Sequence, residues 1–166
     1  MKKYELTSET KMVCGITLHR IRALIDIKRW NVKSGDMGGW IESENNLDQS
    51  GEAWVSGEAI VFDEARVLDK AMVFGEARVS GEAWVSKCTH MLTVGRIGSR
   101  NDITTFFQTR SESGFSISVS CGCFYGTLAE FRRKVAETHG DNKHGRVYQL
   151  AADLAEAQIE LDEEAQ

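Results

Sequence analysis

Two apolar positions recur every six residues through the middle of the chain, from residue 51 to residue 86. The six units read GEAWVS, GEAIVF, DEARVL, DKAMVF, GEARVS and GEAWVS, with alanine third and valine fifth in each. Residues two apart on a strand share a face, so these alanines and valines point to the same side. Each unit begins with glycine or aspartate, which turn the backbone at low cost. The spacing therefore predicts short strands and turns, three to an 18-residue coil of a β-helix, with one face always buried.

The same spacing extends the predicted repeat on both sides of its regular part. Ile41 and Leu47 lie six residues apart, and Leu47 lies six residues before the first alanine of the repeat, so both fall in alanine positions. Thr89 and Met91 occupy the next alanine and valine positions downstream. We therefore predict a β-helix of three to four coils over residues 33–92.

Outward side chains that lie 18 residues apart stack on one face of such coils. One face then carries Trp54, Met72 and Phe74, which together are too apolar for open water. An exposed apolar patch of this kind is typical of an interface, so we expect the chain to self-associate through it. In the alternative, flanking segments of the same chain cover the patch.

The residues before the repeat alternate in the manner of strands. Residues 11–13 and 16–22 flank Cys14-Gly15, a two-residue turn typical of a β-hairpin. We assign residues 1–32 to an N-terminal β-hairpin segment, and we interpret Cys14 as a turn residue.

The residues after the repeat predict a separate α+β unit at 93–166. Two alternating segments, 104–109 and 115–120, predict a pair of strands. Thr127 and Glu130 have capping-box spacing at the start of a helix. A second helix follows, with one apolar stripe formed by Val147, Leu150, Ala151, Leu154 and Ala155. We thus expect a mainly β chain with a ββαα cap on the open end of the β-helix, and a frayed acidic end at 160–166.

The hexapeptide units resemble those of the left-handed β-helix family, whose motif places an aliphatic residue four positions before a small one. Val55 with Ala59 and Val61 with Ala65 are two of the matching pairs. The left hand and a trimeric state are what this resemblance implies. The run GDMGGWIE at 35–42 is also similar to the opening of uncharacterised hexapeptide-repeat proteins of phages, prophages and enteric bacteria. The C-terminal runs IGSRND, CGCF and THGDNK resemble the tails of uncharacterised phage proteins.

Composition and charge narrow the classes of function. The net charge of −5 on 166 residues argues against bulk nucleic-acid binding. No apolar run approaches the length of a membrane span, and the first residues lack the pattern of a secretory signal. We therefore expect a cytoplasmic protein of a bacterial host, without membrane contact, whose four cysteines are reduced.

Two loops carry the candidate binding residues. The Gly-Ser turn near residue 98 presents backbone amides that suit an anion, and its neighbouring arginines suit a phosphate. The loop between the two predicted helices is denser in polar residues than helix caps require. The predicted ligand-binding residues are Arg96, Ser99, Arg100, Asn101, His139, Asn142, Lys143 and His144. In both loops the alternative is a solvated connector.

Cys121 and Cys123 flank a glycine at a predicted strand end. A metal held together with His139 or His144 is one interpretation. The one-residue gap differs from that of structural zinc sites, however, and no second pair of cysteines exists. We therefore favour a tight turn with small buried thiols, and we predict neither a metal nor a cofactor.

The resemblance also raises an enzymatic alternative, because many hexapeptide-repeat proteins are acyltransferases that use acyl-coenzyme A. Here only His90 lies near the repeats as a general base, and no loop interrupts them. We favour a non-catalytic phage or prophage binding protein, in which an oligomeric β-helix presents a C-terminal ligand-binding domain. By analogy with other small phage proteins, its partner is a host defence protein or a nucleotide-type small molecule. A purely structural assembly protein is the other alternative.

Overall fold

The computed structural model describes residues 1–163, and the chain divides into two compact units, Met1–Cys88 and Thr89–Gln166. The protein is mainly β with two C-terminal helices, as the sequence predicts. Among the described residues, no helix is both long and apolar enough to cross a membrane.

A β-hairpin opens the N-terminal unit. Strands β1 (Tyr4–Val13) and β2 (Ile16–Ala23) pair antiparallel around Cys14 and Gly15. Both turn residues have positive φ, 51° and 82°, because a two-residue turn with this twist requires the left-handed region. The hairpin predicted at this position is therefore present, and Cys14 is a turn residue. A third strand, β3 (Met37–Ile41), pairs antiparallel with β2.

Six two-residue strands occupy the regular repeat, one in each hexapeptide. They are β4 (Trp54–Val55), β5 (Ile60–Val61), β6 (Arg66–Val67), β7 (Met72–Val73), β8 (Arg78–Val79) and β9 (Trp84–Val85). Strands 18 residues apart pair in parallel, so β4 pairs with β7, β5 with β8 and β6 with β9. Strand β3 pairs in parallel with β5, which joins the hairpin and part of the repeat in one five-stranded sheet.

The repeat positions behave as their periodicity predicts. All six alanines and all six valines of the units are at most 1% exposed. The first residue of every unit has positive φ, and this includes Asp63 and Asp69 as well as the four glycines. Aspartate tolerates the left-handed region better than most residues, so it can replace glycine at these turns.

The register upstream of the repeat differs from the prediction. Ile41 pairs with Val61 and Leu47 bridges to Val67, so both occupy valine positions rather than alanine positions. The reason is a longer turn, since Leu47 and Val55 are eight residues apart where the repeat spacing is six.

The downstream extension of the repeat is wrong. The residues Cys88–His90 form a short 3-10 helix, and Met91 begins an antiparallel strand of the other unit. The parallel pairing therefore ends at Val85, seven residues before the predicted limit at residue 92.

The C-terminal unit has a four-stranded antiparallel sheet, where the sequence predicted two strands. Its strands pair in chain order: β10 (Met91–Ile97), β11 (Asp102–Ser111), β12 (Gly114–Cys121) and β13 (Phe124–Thr127). Helices α1 (Leu128–His139) and α2 (Lys143–Gln158) follow. The two missed strands each contain a glycine, and β13 has only four residues, so neither shows a clear alternation.

Both helices begin at side-chain caps. The Thr127 hydroxyl accepts a hydrogen bond from the Glu130 amide, while the Glu130 carboxylate accepts one from the Thr127 amide, which confirms the predicted capping box. The Asn142 side-chain oxygen accepts hydrogen bonds from the amides of His144 and Gly145. Asn142 is therefore the N-cap of α2.

Helix α2 buries only part of the predicted stripe, namely Ala151 and Ala155. Leu150 and Leu154 are 66% and 52% exposed. The Tyr148 ring instead turns inward and meets the Phe131 ring edge-on, with their centroids 5.7 Å apart. The inward positions of α2 are Tyr148, Ala151, Ala152 and Ala155. The alanines on the inward side are small and let the helix pack closely in the core, and the bulky leucines lie on its opposite, outward side.

Candidate functional site

A cleft of about 420 Å³ lies in the C-terminal unit, where two hairpin turns approach the helices. Its walls come from the β10–β11 turn, the β12–β13 turn and the two helices. Phe124, Phe131 and Val135 supply its apolar part. The polar and charged lining residues are Ser99, Arg100, Thr138, Lys134 and His139, together with Cys121, Cys123 and Tyr148.

The β10–β11 turn is packed against α2 through Gly98 and Tyr148. A Cβ atom on Gly98 would lie 1.9 Å from the Tyr148 ring, and Gly98 also has a φ of +72°, so only glycine fits this position. Ser99 and Cys121 line the cleft together with Tyr148. Burial, and then the neighbouring Cys121, raise the pKa of Tyr148. This packing places Ser99 and Arg100 beside the cleft.

The β12–β13 turn brings Cys123 to the Arg100 guanidinium. Arg100 Nη1 donates a hydrogen bond to Cys123 Sγ over 3.3 Å. Gly122, between the two cysteines, has a φ of +59°, a conformation that glycine adopts without strain. The hydrogen bond and the positive charge of Arg100 hold the pKa of the Cys123 thiol below its usual range.

The two cysteines of this turn have different surroundings. Cys121 is partly buried, and its sulfur accepts a hydrogen bond from the Thr104 hydroxyl over 3.1 Å. Cys123 is exposed, which contradicts the prediction that both thiols are buried. The tight strand-end turn itself is as predicted. Within residues 1–163 no cluster of three or more His, Cys, Asp and Glu side chains is arranged to hold a metal.

The cleft brings together only part of the predicted ligand-binding set. Ser99, Arg100 and His139 line it. The residues that do not line it are Arg96, Asn101, Asn142, Lys143 and His144. The cap of α2 accounts for Asn142, and the His144 ring lies beside that of His139 with centroids 5.9 Å apart.

Sequence reasoning missed Lys134, Phe124 and Tyr148 as lining residues. The sequence could have indicated Lys134, because one face of the predicted helix carries Phe131, Lys134, Val135 and Thr138. Phe124 and Tyr148 reach the cleft through a strand and a helix that are distant in sequence, and no local pattern predicts that contact.

The three predicted interface residues lie in different environments of the N-terminal unit. Trp54 is 1% exposed, and its ring meets the Tyr4 ring of β1 at 73° with centroids 6.5 Å apart. Gly38 lies close to the same indole, since a Cβ atom there would be 2.7 Å from it. Met72 is half-buried and Phe74 is 58% exposed. The hairpin thus covers Trp54, which is the alternative noted above, and the exposed apolar patch shrinks to Phe74 and part of Met72.

His90, the candidate base of the acyltransferase alternative, is fully buried. Its Nδ1 lies 3.2 Å from Gln108 Nε2, and its Nε2 lies 3.4 Å from a carboxylate oxygen of Asp162. Because Gln108 Nε2 is a donor, Nδ1 is the acceptor and Nε2 carries the proton towards Asp162. His90 is thus enclosed between the side chains of Gln108 and Asp162.

The acidic C-terminal segment makes hydrogen bonds as far as Asp162. The Asp162 amide donates a 2.7 Å hydrogen bond to the Gln108 side chain, and the Glu160 amide donates one to the Thr89 carbonyl. The prediction of a frayed end from residue 160 is therefore wrong for 160–162, and its last part, 164–166, lies outside the described residues.

Compared with protein-family models, the chain has no match, and a search of curated proteins also finds none. The resemblances to hexapeptide-repeat and phage proteins therefore stay predictions.

Proposed function

We propose that the C-terminal unit binds a small anionic ligand of the nucleotide type in the cleft, without transforming it. The observation that carries this proposal is the combination of Arg100, Lys134 and His139 with an apolar wall of Phe124 and Phe131. Arginine and lysine suit a phosphate, and the phenylalanine side chains suit an aromatic base. The volume of about 420 Å³ falls in the range of small-molecule sites.

The repeat, in this proposal, is a left-handed β-helix that serves assembly. The parallel pairing at 18-residue spacing and the buried alanines and valines support the coils. The resemblance to hexapeptide-repeat proteins supports the hand and the trimer. Phe74, 58% exposed, supports a contact between copies on that face. A monomeric mass by light scattering would contradict the proposed self-association but not the proposed ligand binding.

The biological role follows from the resemblance of both halves to phage and prophage proteins. In the cytoplasm of a bacterial host, such a protein opposes host defence by sequestering a nucleotide signal. Masking of a host effector is the second form of the same role, and it needs a protein surface rather than the cleft.

Ligand binding is tested by thermal unfolding with a panel of cyclic nucleotides, ADP-ribose-type nucleotides and coenzyme A. At a hundred times its Kd, a bound nucleotide stabilises the folded state by about 2.7 kcal/mol. Lys134→Gln removes a cleft cation and is expected to abolish most of that stabilisation. The matched control is Lys143→Gln, which removes the same charge outside the cleft and is expected to change nothing.

Three outcomes would contradict this proposal in different ways. No stabilisation by any nucleotide would favour a protein partner. Equal losses in the Lys134→Gln and Lys143→Gln variants would place the ligand outside the cleft. Stabilisation by coenzyme A that His90→Ala abolishes would favour the acyltransferase alternative.

A further inference from the structure

The exposed thiol of Cys123 lines the cleft and has no part in the proposed nucleotide binding. It lies in a two-residue turn between β12 and β13, 3.3 Å from Arg100 Nη1. We propose that Cys123 is a nucleophile that undergoes thiol–disulfide exchange with small disulfides carrying acidic groups. This goes beyond the proposed ligand binding and does not depend on it.

The geometry around the sulfur favours its anionic form. Arg100 is held in place because its turn packs on Tyr148 through Gly98, and the side chain of Arg100 lies over Gly122. A guanidinium at hydrogen-bond distance stabilises a thiolate, which is the attacking species in disulfide exchange. The other charged or titratable groups that face this turn are Asp102, Cys121, Lys134, His139 and Tyr148. Asp102 acts against Arg100, with a carboxylate oxygen 3.9 Å from the Cβ position of Gly122.

The charges of the cleft indicate the class of disulfide. Lys134 and Arg100 line the same cleft as Cys123, and His139 adds a further cation when it is protonated. Acidic groups on the small molecule would meet these cations while its sulfurs approach Cys123. A neutral disulfide lacks that attraction.

The other cysteines provide internal references. Cys14 is exposed, and Arg78 Nη2 donates to its sulfur a hydrogen bond of 3.9 Å, which is longer and weaker than the 3.3 Å contact of Arg100 with Cys123. Cys88 is exposed, and its sulfur lies 3.9 Å from the carbonyl oxygen of Lys70, an acceptor rather than a cation. Exposure alone would make Cys14, Cys88 and Cys123 equivalent, so a difference in rate reports the surroundings of each sulfur.

The exchange step needs no other oxidant. The Cys123 thiolate attacks one sulfur of R–S–S–R, a Cys123–S–R bond forms, and the original S–S bond breaks. The displaced sulfur leaves as R–S⁻ and takes a proton from solvent. The Cys123 sulfur is oxidised, and the displaced sulfur is reduced.

The test measures modification of each cysteine separately in the full chain at neutral pH, without nucleotide. The acidic probe is dithiobis(nitrobenzoate), the neutral probe is dithiodipyridine, and peptide mass spectrometry assigns the modified sites. With the acidic probe, Cys123 is expected to react at least about threefold faster than Cys14 and Cys88. Equal rates for the three thiols would overturn the proposal.

Two pairs of variants sharpen the result. Arg100→Gln is expected to slow Cys123 towards the rates of Cys14 and Cys88. Arg96→Gln removes the same charge from the same hairpin outside the cleft, and equal effects of the two variants would refute the role of Arg100. Lys134→Gln is expected to slow the acidic probe more than the neutral one. Equal slowing of both probes would refute the acidic class of disulfide.

Discussion

Polar side chains serve different purposes in the two units. In the N-terminal unit, the buried side chains of Lys3 and Asn46 bond backbone carbonyls in and beside the repeat. Lys3 Nζ donates to the carbonyls of Ser50 and Ala53, and the Asn46 side chain donates to those of Asp63 and Ala65. In the C-terminal unit, by contrast, cationic side chains line an open cleft.

The difference follows from how each unit is built. Backbone amides donate to the carbonyls of Ala71, Ala77 and Ala83, whereas side chains donate to those of Ala53 and Ala65. A buried carbonyl needs a donor, so Lys3 and Asn46 are structural residues. In the C-terminal unit, buried polar side chains such as Gln108 also bond the backbone, while Ser99, Arg100 and Lys134 line the cleft.

The largest expected effect compares two identical hexapeptides, GEAWVS at 51–56 and at 81–86. Trp54→Ala removes an indole that is 1% exposed and packed on Tyr4, and should lower the free energy of unfolding by about 3–5 kcal/mol. Trp84→Ala is the matched control. Trp84 is half-buried under the Arg66 guanidinium, and its loss should cost less. Urea unfolding of both variants measures the difference, and equal losses would show that the hairpin does not cover Trp54.

A smaller effect is expected from the buried Lys3. Burial lowers the pKa of Lys3 from 10.5 to about 8, so the unfolded state binds more protons than the folded state between these values. Stability from this group is complete above pH 10.5 and is lost as the pH falls towards 8. Between pH 8 and 10 the free energy of unfolding should therefore rise by about 2 kcal/mol.

Tyr4 sets the upper limit of the pH range over which the rise due to Lys3 can be measured. Burial raises the pKa of Tyr4, so its contribution falls once the pH exceeds the ordinary value of 10. The measurement is urea unfolding from pH 8 to pH 10 for the wild type and for Lys3→Met. The rise should be missing in the variant, and the same slope in both proteins would contradict the assignment to Lys3.

The smallest expected effect concerns Asn142, which the sequence suggests as a ligand residue and the structure makes a helix cap. Asn142→Ala should lower the free energy of unfolding by about 1 kcal/mol and leave nucleotide-induced stabilisation and Cys123 reactivity unchanged. Thr127→Ala, at the cap of α1, is the control with a similar expected cost. A loss of ligand binding in Asn142→Ala but not in Thr127→Ala would show that Asn142 takes part in ligand binding.

Local rules predicted much of the fold but less of the site. The turn at Cys14-Gly15 and the cap at Thr127 depend on neighbours within a few residues, so the sequence alone indicates them. The cleft depends on contacts such as Arg100 with Cys123, which are 23 residues apart and belong to two different turns. Spacing along the chain carries no information about such a pair, which is why only part of the predicted set lines the cleft.

The two GEAWVS hexapeptides have the same local sequence but differ in how deeply their tryptophan is buried. In both, alanine and valine are buried, because a period of two within a unit and of six between units places them on the same face of the repeat. Tryptophan points the other way in both, so its surroundings depend on what the rest of the chain brings to that side. The hairpin strand with Tyr4 covers Trp54, whereas Trp84 remains half-buried. The inward face was determined by periodicity alone, and the fate of the outward face was decided only by tertiary packing.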